Sequence, residues 1–409
     1  MARTPGLQPR RAALKMLDAV LRRGETMEQA GGAANGLGNP SDRALARAVA
    51  VEVLRWLTDL DALIDSATRD VLPVDAKARM VLRMMLVQWL RLDTPPHAVV
   101  ATALPLLDGG PKRLAHGVFA TLTRKEVRLP DVPSLPAAVV DRWGDRSAAI
   151  AAGIAQPPPL DLRLKRPADT ARWAERLGGT SLAPGHVRLG RGANVADLPG
   201  YDTGDWWVQD LAAAIPASLL GEGGGRRVLD LAAAPGGKSM QLAAAGWQVT
   251  ALDVNPRRML RLRENLARVN LEAQTVIADA LDWQPEAPFD AVLLDAPCTA
   301  TGTCRRHPEV LHRIGPRQIA EMADLQATLL ARAVGWVKEG GTLVYATCSL
   351  EQEEGEHIAA RCPLTPDPIR PEELPEGVAP GVGGWLRTDP GMLADAGGLD
   401  GFFVARWTA

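Results

Sequence analysis

From Arg226 onward, short apolar runs alternate with stretches of helical period, and each run stops at a residue that carries chemistry. Val228-Leu229-Asp230-Leu231 leads into the turn Ala232-Ala233-Ala234-Pro235-Gly236-Gly237. Gln248-Val249-Thr250-Ala251-Leu252 stops at Asp253, and Thr275-Val276-Ile277-Ala278 stops at Asp279. Phe289-Asp290-Ala291-Val292-Leu293-Leu294 stops at Asp295-Ala296-Pro297-Cys298. Gly341-Thr342-Leu343-Val344-Tyr345-Ala346 stops at Thr347-Cys348-Ser349. Apolar runs of this length, separated by helices, suit parallel strands covered on both faces. The expected fold class is α/β, a Rossmann-like doubly wound sheet. Ligands of such sheets bind beyond the carboxyl ends of the strands. Helices are expected over 238–245, 256–269 and 317–337, and a last strand over 401–407.

The chain ahead of this pattern reads differently. Residues 10–128 carry helix-period stripes, among them Leu14, Leu17 and Leu21, then Val49, Val53 and Trp56, then Val81, Met85 and Trp89, then Leu114, Val118 and Leu122. Ser41 and Asp75 are candidate N-caps, and residues 31–36 a flexible loop. Pro130, Pro133 and Pro136 suggest a boundary. The expected division is an all-α domain over 1–130, a small α+β element over 131–210 and the sheet domain over 211–409. Residues 363–400, rich in Pro and Gly, are expected to loop over the surface.

Charge sharpens this division. Residues 1–130 hold 19 Lys and Arg against 13 Asp and Glu, although the whole chain carries a formal charge of −2. A basic leading domain can supply phosphate contacts; a solvated basic face is the plainer explanation. No uncharged run is long enough to cross a bilayer, and Met1-Ala2-Arg3-Thr4-Pro5 lacks an apolar signal core. The expectation is a cytoplasmic protein without membrane or metal, and a monomer. Four cysteines without CxxC spacing argue against a zinc ribbon or a disulfide framework.

The turn at 232–238 constrains the ligand. Two glycines between strand and helix let backbone approach a bound group. A phosphate-binding GxxxxGK[ST] loop would need Gly at 232, where the chain has Ala232. Asp253 stands where an acid accepts from ribose hydroxyls, and a nicotinamide dinucleotide would want GxGxxG at the turn. S-adenosylmethionine fits better. Asp279 is placed for the adenine side, or is only a cap for the next helix.

These stretches together resemble a known family. Asp230-Leu231-Ala232-Ala233-Ala234-Pro235-Gly236-Gly237-Lys238, Asp295-Ala296-Pro297-Cys298 and Thr347-Cys348-Ser349 resemble the motifs of the NOL1/NOP2/Sun RNA cytosine-5 methyltransferases. The likeness runs from about Gly204 to the carboxyl terminus. Thr299-Ala300-Thr301-Gly302 and Arg305-Arg306-His307-Pro308-Glu309 are similar to the branch acting on small-subunit ribosomal RNA. The leading helices resemble a NusB-like RNA-binding domain. The resemblance implies an RNA partner, ribosomal RNA first, and S-adenosylmethionine held by Ala232, Ala233, Ala234, Pro235, Gly236, Gly237, Lys238, Asp253, Arg258, Asp279 and Asp295. It implies that Cys348 attacks cytosine C6, that Cys298 assists product release, that Asp295 bonds the ring near N3, and that Lys238 holds the catalytic groups.

Local chemistry is compatible with these roles. Ser349 with Gln352 has the S-x-x-Q capping-box pattern, which predicts a helix starting just after Cys348 whose dipole favours a thiolate. Glu351, Glu353 and Glu354 would then face solvent. A cysteine by itself is more often a buried small hydrophobe, which is how Cys304 and Cys362 read. Arg305 and Arg306 are candidates for phosphate contact. Three other functions stay open. One is a DNA cytosine enzyme using Cys298 as nucleophile, another a transfer-RNA enzyme. The third is a non-catalytic assembly factor with a degenerate methyltransferase fold.

Overall fold

The computed structural model describes residues 6–409; the basic residues 1–5 lie outside the described residues. The chain forms two compact units. One runs to Gln156 and includes Arg306–Arg313, and the other comprises Pro157–Arg305 and Ile314–Ala409. No helix of the described residues is long and apolar enough to cross a membrane.

The first unit is helical. Its main helices are Leu7–Arg23, Pro40–Arg55, Leu57–Asp65, Lys77–Leu90, Pro96–Ala103 and Gly109–Arg124. Leu17, Val49, Val53, Trp56, Met85 and Phe119 are buried in its core, as helical spacing requires. Several local expectations need correction. Asn39, not Ser41, caps its helix by accepting from Ser41 N–H, because Pro40 already occupies the first helical position. Asp75 makes no cap, since Ala76 intervenes. Gly31–Ala34 is a 3₁₀ turn rather than an open loop, and Leu114 is exposed. Two more helices, Ala137–Trp143 and Ser147–Ile154, come after the prolines and pack with this unit. Buried Arg55 donates to Ile154 O at 2.6 Å, and Arg91 donates to Ala155 O at 3.3 Å. Proline interrupts hydrogen bonding locally; it does not mark where buried contacts end.

A segment from the sheet half of the sequence belongs to this helical unit. Met27 N–H donates to Glu309 Oε1 at 3.0 Å, His312 Nε2 lies 2.7 Å from Leu54 O, and Arg313 Nε donates to Gly24 O at 2.7 Å. Burial holds the His312 pKa below its usual value.

In the second unit, β1 (Leu160–Leu164), β2 (His186–Leu189) and β3 (Trp206–Val208) form an antiparallel sheet in the order β2-β1-β3. Asp161 on β1 fastens it, accepting from Arg188 Nε and Nη2 at 2.7 and 2.8 Å and from the Leu211 N–H at 3.1 Å. Burial would raise this carboxyl's pKa, but Arg188 and His186 outweigh it and hold it far below the usual range.

The large sheet contains β4 (Arg227–Leu231), β5 (Gln248–Asp253), β6 (Gln274–Ile277), β7 (Phe289–Asp295), β8 (Val337–Thr347), β9 (Thr365–Pro366), β10 (Leu386–Thr388) and β11 (Phe402–Thr408). Its order is β10-β11-β8-β7-β4-β5-β6, with β9 on β11. Strands β4 to β8 are parallel, and β11 runs antiparallel against β8. The order reverses between β4 and β7, where α/β sheets open a crevice for ligands.

The helix Pro256–Val269 illustrates how sequence sets these crossovers. Asn255 accepts from Arg257 and Arg258 N–H, Pro256 starts the helix, and Asn270 at φ +50° ends it. Met259, Leu262, Leu266 and Val269 line its buried face. The helix expected to reach 337 ends earlier, at Val334, because Val337 already pairs with Phe289 as β8 begins. Residues 363–400 are less superficial than expected: β9 and β10 join β11, and Ile369, Val378, Leu386 and Leu399 are buried.

Arg305, expected near phosphate, is fully buried. It donates to Asp400 Oδ1 and Asp210 Oδ2, both at 3.0 Å, and to Gly397 O at 2.7 Å. Arg305→Ala would leave two buried carboxylates without their cation, and the expected loss is roughly 3–5 kcal/mol of stability. A denaturant midpoint unchanged by that substitution would refute the account.

Candidate active site

Two neighbouring features occupy the carboxyl ends of β4, β5 and β7. One is a cavity of about 200 Å³ lined by Ala232, Asp253, Arg258 and Asp279, with Leu281, Pro297 and Leu325 among the apolar walls. The other is a cluster of charged groups and thiols around Lys238, Asp295, Cys298 and Cys348. Pro297, next to Cys298, lines the cavity and so joins the two.

The turn after β4 shapes the first feature. Gly236 sits at φ +104°, and a Cβ there would come within 2.8 Å of the Leu262 side chain. Asp253 is buried; its carboxylate accepts from Ala234 N–H at 3.1 Å and Asn255 N–H at 2.8 Å. Arg258 donates to Ala234 O and approaches Asp253 to 3.6 Å. Arg258 therefore latches the turn as well as facing the cavity. Asp279 is exposed and accepts from Leu281 N–H at 2.8 Å. No helix comes directly after β6, so that bond closes a local turn. Ala233 and Ala234 are buried, and with Gly236 they build the turn; only Ala232 of the stretch 232–238 lines the cavity.

Charge organises the second feature. Lys238 Nζ lies 2.7 Å from Asp295 Oδ2 and 5.3 Å from the centre of the Phe402 ring. Burial pushes Lys238 down, but Asp295, Asp230 and Cys348 outweigh it, so its pKa stands above the ordinary lysine value. The ammonium is thus retained at neutral pH. The two thiols lie close together, Cys298 Sγ 3.4 Å from Cys348 Sγ. That hydrogen bond, then burial and the charges of Cys348 and Glu354, push the Cys298 thiol well above its usual value.

The loops carrying the thiols are tied to one another. Gly302 N–H donates to Cys348 O at 3.0 Å, and Leu350 N–H donates to Thr301 Oγ1 at 2.9 Å. Gly302 must be glycine: an added Cβ would sit 2.0 Å from Gly401 O. The capping-box expectation fails here. Ser349 is buried and donates to Glu354 Oε1 at 2.8 Å, and the next element is a 3₁₀ turn at Gln352–Glu354 capped by Glu351 without a side-chain bond. No helix dipole therefore acts at Cys348, and Lys238 is the charge that faces it. Of the three acids expected in solvent, only Glu353 is there; Glu351 and Glu354 are buried. Glu354, Thr299, Gln326 and Arg387 were not foreseen around the site. The only sequence signal for Glu354 was its place close after Cys348. Cys304 is buried in packed core.

Asp230 is wholly buried beneath the turn and accepts from Ser239 Oγ at 2.5 Å. Burial raises its pKa from 3.8 to about 7, against the Ser239 bond and with help from Asp295. The raised value means the unfolded chain ionises first as pH climbs. Stability from this group is therefore complete below about pH 4 and is lost by about pH 7. Asp230→Asn keeps the bond to Ser239 and removes the titration. The wild type should lose a few kcal/mol more than this variant between pH 4.5 and 8, measured by urea unfolding; parallel profiles would refute the shift.

The comparisons with known proteins show the family. A model of the 16S rRNA methyltransferase RsmB/F family matches residues 217–408, and a model of the NusB family matches residues 7–109. The chain is 33% identical to the ribosomal RNA small subunit methyltransferase B of Xylella fastidiosa, over 98% of each chain. It is 35% identical to the protein of that name from Xanthomonas campestris, over 98% of this chain and 97% of the other. Among solved structures, a methyltransferase homolog from Pyrococcus horikoshii is 25% identical, with a TM-score of 0.56 over 70% of this chain and 97% of its own. The cavity suits S-adenosylmethionine, because Asp253 and Asp279 offer carboxylates to a nucleoside and Ala232 brings the turn after β4 to its wall. The chain is an S-adenosylmethionine-dependent RNA methyltransferase and belongs to the RsmB/F family, with a NusB-family helical segment ahead of the sheet domain.

Proposed function

We propose that this protein methylates C5 of a cytosine in small-subunit ribosomal RNA through a transient bond between Cys348 and C6. The observation that carries this reading is the pair of sulfurs 3.4 Å apart, beside the Lys238–Asp295 ion pair. Cytosine C5 is a weak nucleophile, and a sulfur adding at C6 turns the ring into an enamine-like species. In the proposed step the Cys348 thiolate forms the C6–S bond, the C5–C6 π electrons shift through C4 to N3, and N3 takes up a proton that it shares with Asp295, whose own charge is balanced by Lys238. The 232–238 turn, Asp253, Arg258 and Asp279 would hold S-adenosylmethionine, which would supply a sulfonium methyl group to C5 and leave as the neutral thioether, N3 giving up its proton. Loss of the C5 proton to a base then returns an electron pair to the ring, breaks the C6–S bond and frees Cys348.

The assignment of the two cysteines rests on their motifs, Thr347-Cys348-Ser349 and Asp295-Ala296-Pro297-Cys298. The Cys298 thiol stands above its usual value because of its bond to Cys348 and its burial. The DNA-type alternative, in which Cys298 would be the nucleophile, predicts turnover by Cys348→Ala. A target base must leave its helix to reach a site of this kind, so a loop or single-stranded cytosine is the expected substrate. The helical domain over 1–130 is assigned to RNA contact, and the residues over 211–409 to chemistry. The family names of the relatives favour 16S RNA over transfer RNA.

Cys348→Ala should lower formation of 5-methylcytosine by ~10⁴-fold or more. Cys298→Ala should accumulate a protein–RNA adduct that survives denaturing electrophoresis. Bisulfite sequencing of ribosomal and transfer RNA from a deletion strain would then locate the target. Product from the Cys348 variant, or an adduct trapped by it, would sink the mechanism.

A further inference from the structure

Glu354 is fully buried, and its carboxylate is met by donors on both oxygens. Thr299 N–H donates to Oε2 at 2.9 Å and Gln326 Nε2 to the same oxygen at 2.8 Å. Ser349 Oγ donates to Oε1 at 2.8 Å, and Thr299 Oγ1 also reaches Oε1. All four are donors, the set an ionised carboxylate takes. Thr299 directly follows Cys298, and Ser349 directly follows Cys348. One side chain therefore grips the residue after each thiol. Gln326, which shares the carboxylate, also donates to Pro297 O at 2.8 Å and so holds the residue before Cys298.

Burying a charge is costly unless its lone pairs are filled, and here four donors fill them. We propose that Glu354 is a positioning residue: its carboxylate fixes the separation of the Cys298 and Cys348 sulfurs. This rests on the reading of those two cysteines as the reacting pair. Backbone bonds between the loops, such as Gly302 to Cys348, let both loops shift together. The carboxylate takes four bonds at once, and it stands in the 3₁₀ turn that follows the Cys348 loop, so it ties that loop to Thr299 and Gln326.

Phenylarsine oxide, a trivalent arsenical that bridges two nearby thiols, reads the sulfur separation without any turnover. Wild type should capture it, and Cys298→Ala and Cys348→Ala should not. Glu354→Ala should lose about 100-fold in capture, the scale of losing a second point of attachment. Its kcat should fall about 100-fold, as reacting groups misplaced by ~1 Å do, while KM for RNA stays within about twofold. Glu354→Gln should recover most of both losses, because its amide can present the oxygen to Thr299 N–H and Gln326 and donate to the two hydroxyls. Ser349→Ala, a milder cut on the Cys348 side, should shift capture and kcat the same way by less, and decides the matter if Glu354→Ala does not fold. Wild-type capture and kcat in Glu354→Ala, or in Ser349→Ala where the first is unfolded, would overturn the proposal. Methylation by Cys348→Ala alongside Glu354-dependent capture would defeat the cysteine mechanism and leave the positioning role standing.

Discussion

The parallel pairing of β7 with β8 is the constraint on which the rest of the site depends. Asp295 pairs with Ala346, so the two chains leave the sheet side by side and in the same direction. Their first loop residues after the strands include Cys298 and Cys348, and the two sulfurs come within 3.4 Å. A slip of one residue in this register would turn every side chain to the other face and separate the thiols. Leu293, Leu294, Val344 and Tyr345 are fully buried; their burial on both sides of the sheet is what fixes that register.

Around this pair the charges are set by burial and by neighbours in different proportions. At Lys238 the nearby acids and Cys348 win over desolvation, and the cation is kept. At Asp230 desolvation wins over a single hydroxyl bond, and the carboxyl is pushed up to about 7. Both groups lie within one short strand-turn-helix passage. The contrast arises because Lys238 meets an opposite charge at 2.7 Å, whereas Asp230 accepts from the neutral Ser239 hydroxyl and feels Lys238 only at longer range. Asp295 thus works in two directions: it retains the ammonium and discourages a second carboxylate beneath the turn.

Much of this was legible in the chain. Strand ends at Asp253, Asp295 and Cys348 could be read from apolar runs, because a buried parallel strand tolerates few interruptions; β6 is only partly buried and stops at Ile277, short of Asp279. The Pro256 helix could be read from its cap, its apolar period and its terminating asparagine. Local patterns misled where tertiary contacts were stronger. Ser349 has the spelling of an N-cap, yet its hydroxyl donates to Glu354 while accepting the Glu351 N–H, and only a 3₁₀ turn follows. Arg305 reads as a surface cation and is instead the hub between Asp210 and Asp400. The prolines near 130 read as a boundary, but buried Arg55 reaches across to Ile154.

The sequence by itself determined the alternation of strands and helices, the acids and thiols at strand ends, and the glycine turn. Those depend on hydrophobic period, on backbone freedom at glycine and on motifs contiguous in the chain. Only the tertiary structure decided that the two sulfurs meet, that Arg258 latches the turn after β4, and that a buried Glu354 binds the residue after each cysteine. Each of these depends on the distance between residues far apart in the chain, or on how much water a side chain retains. Neither is written in any local stretch.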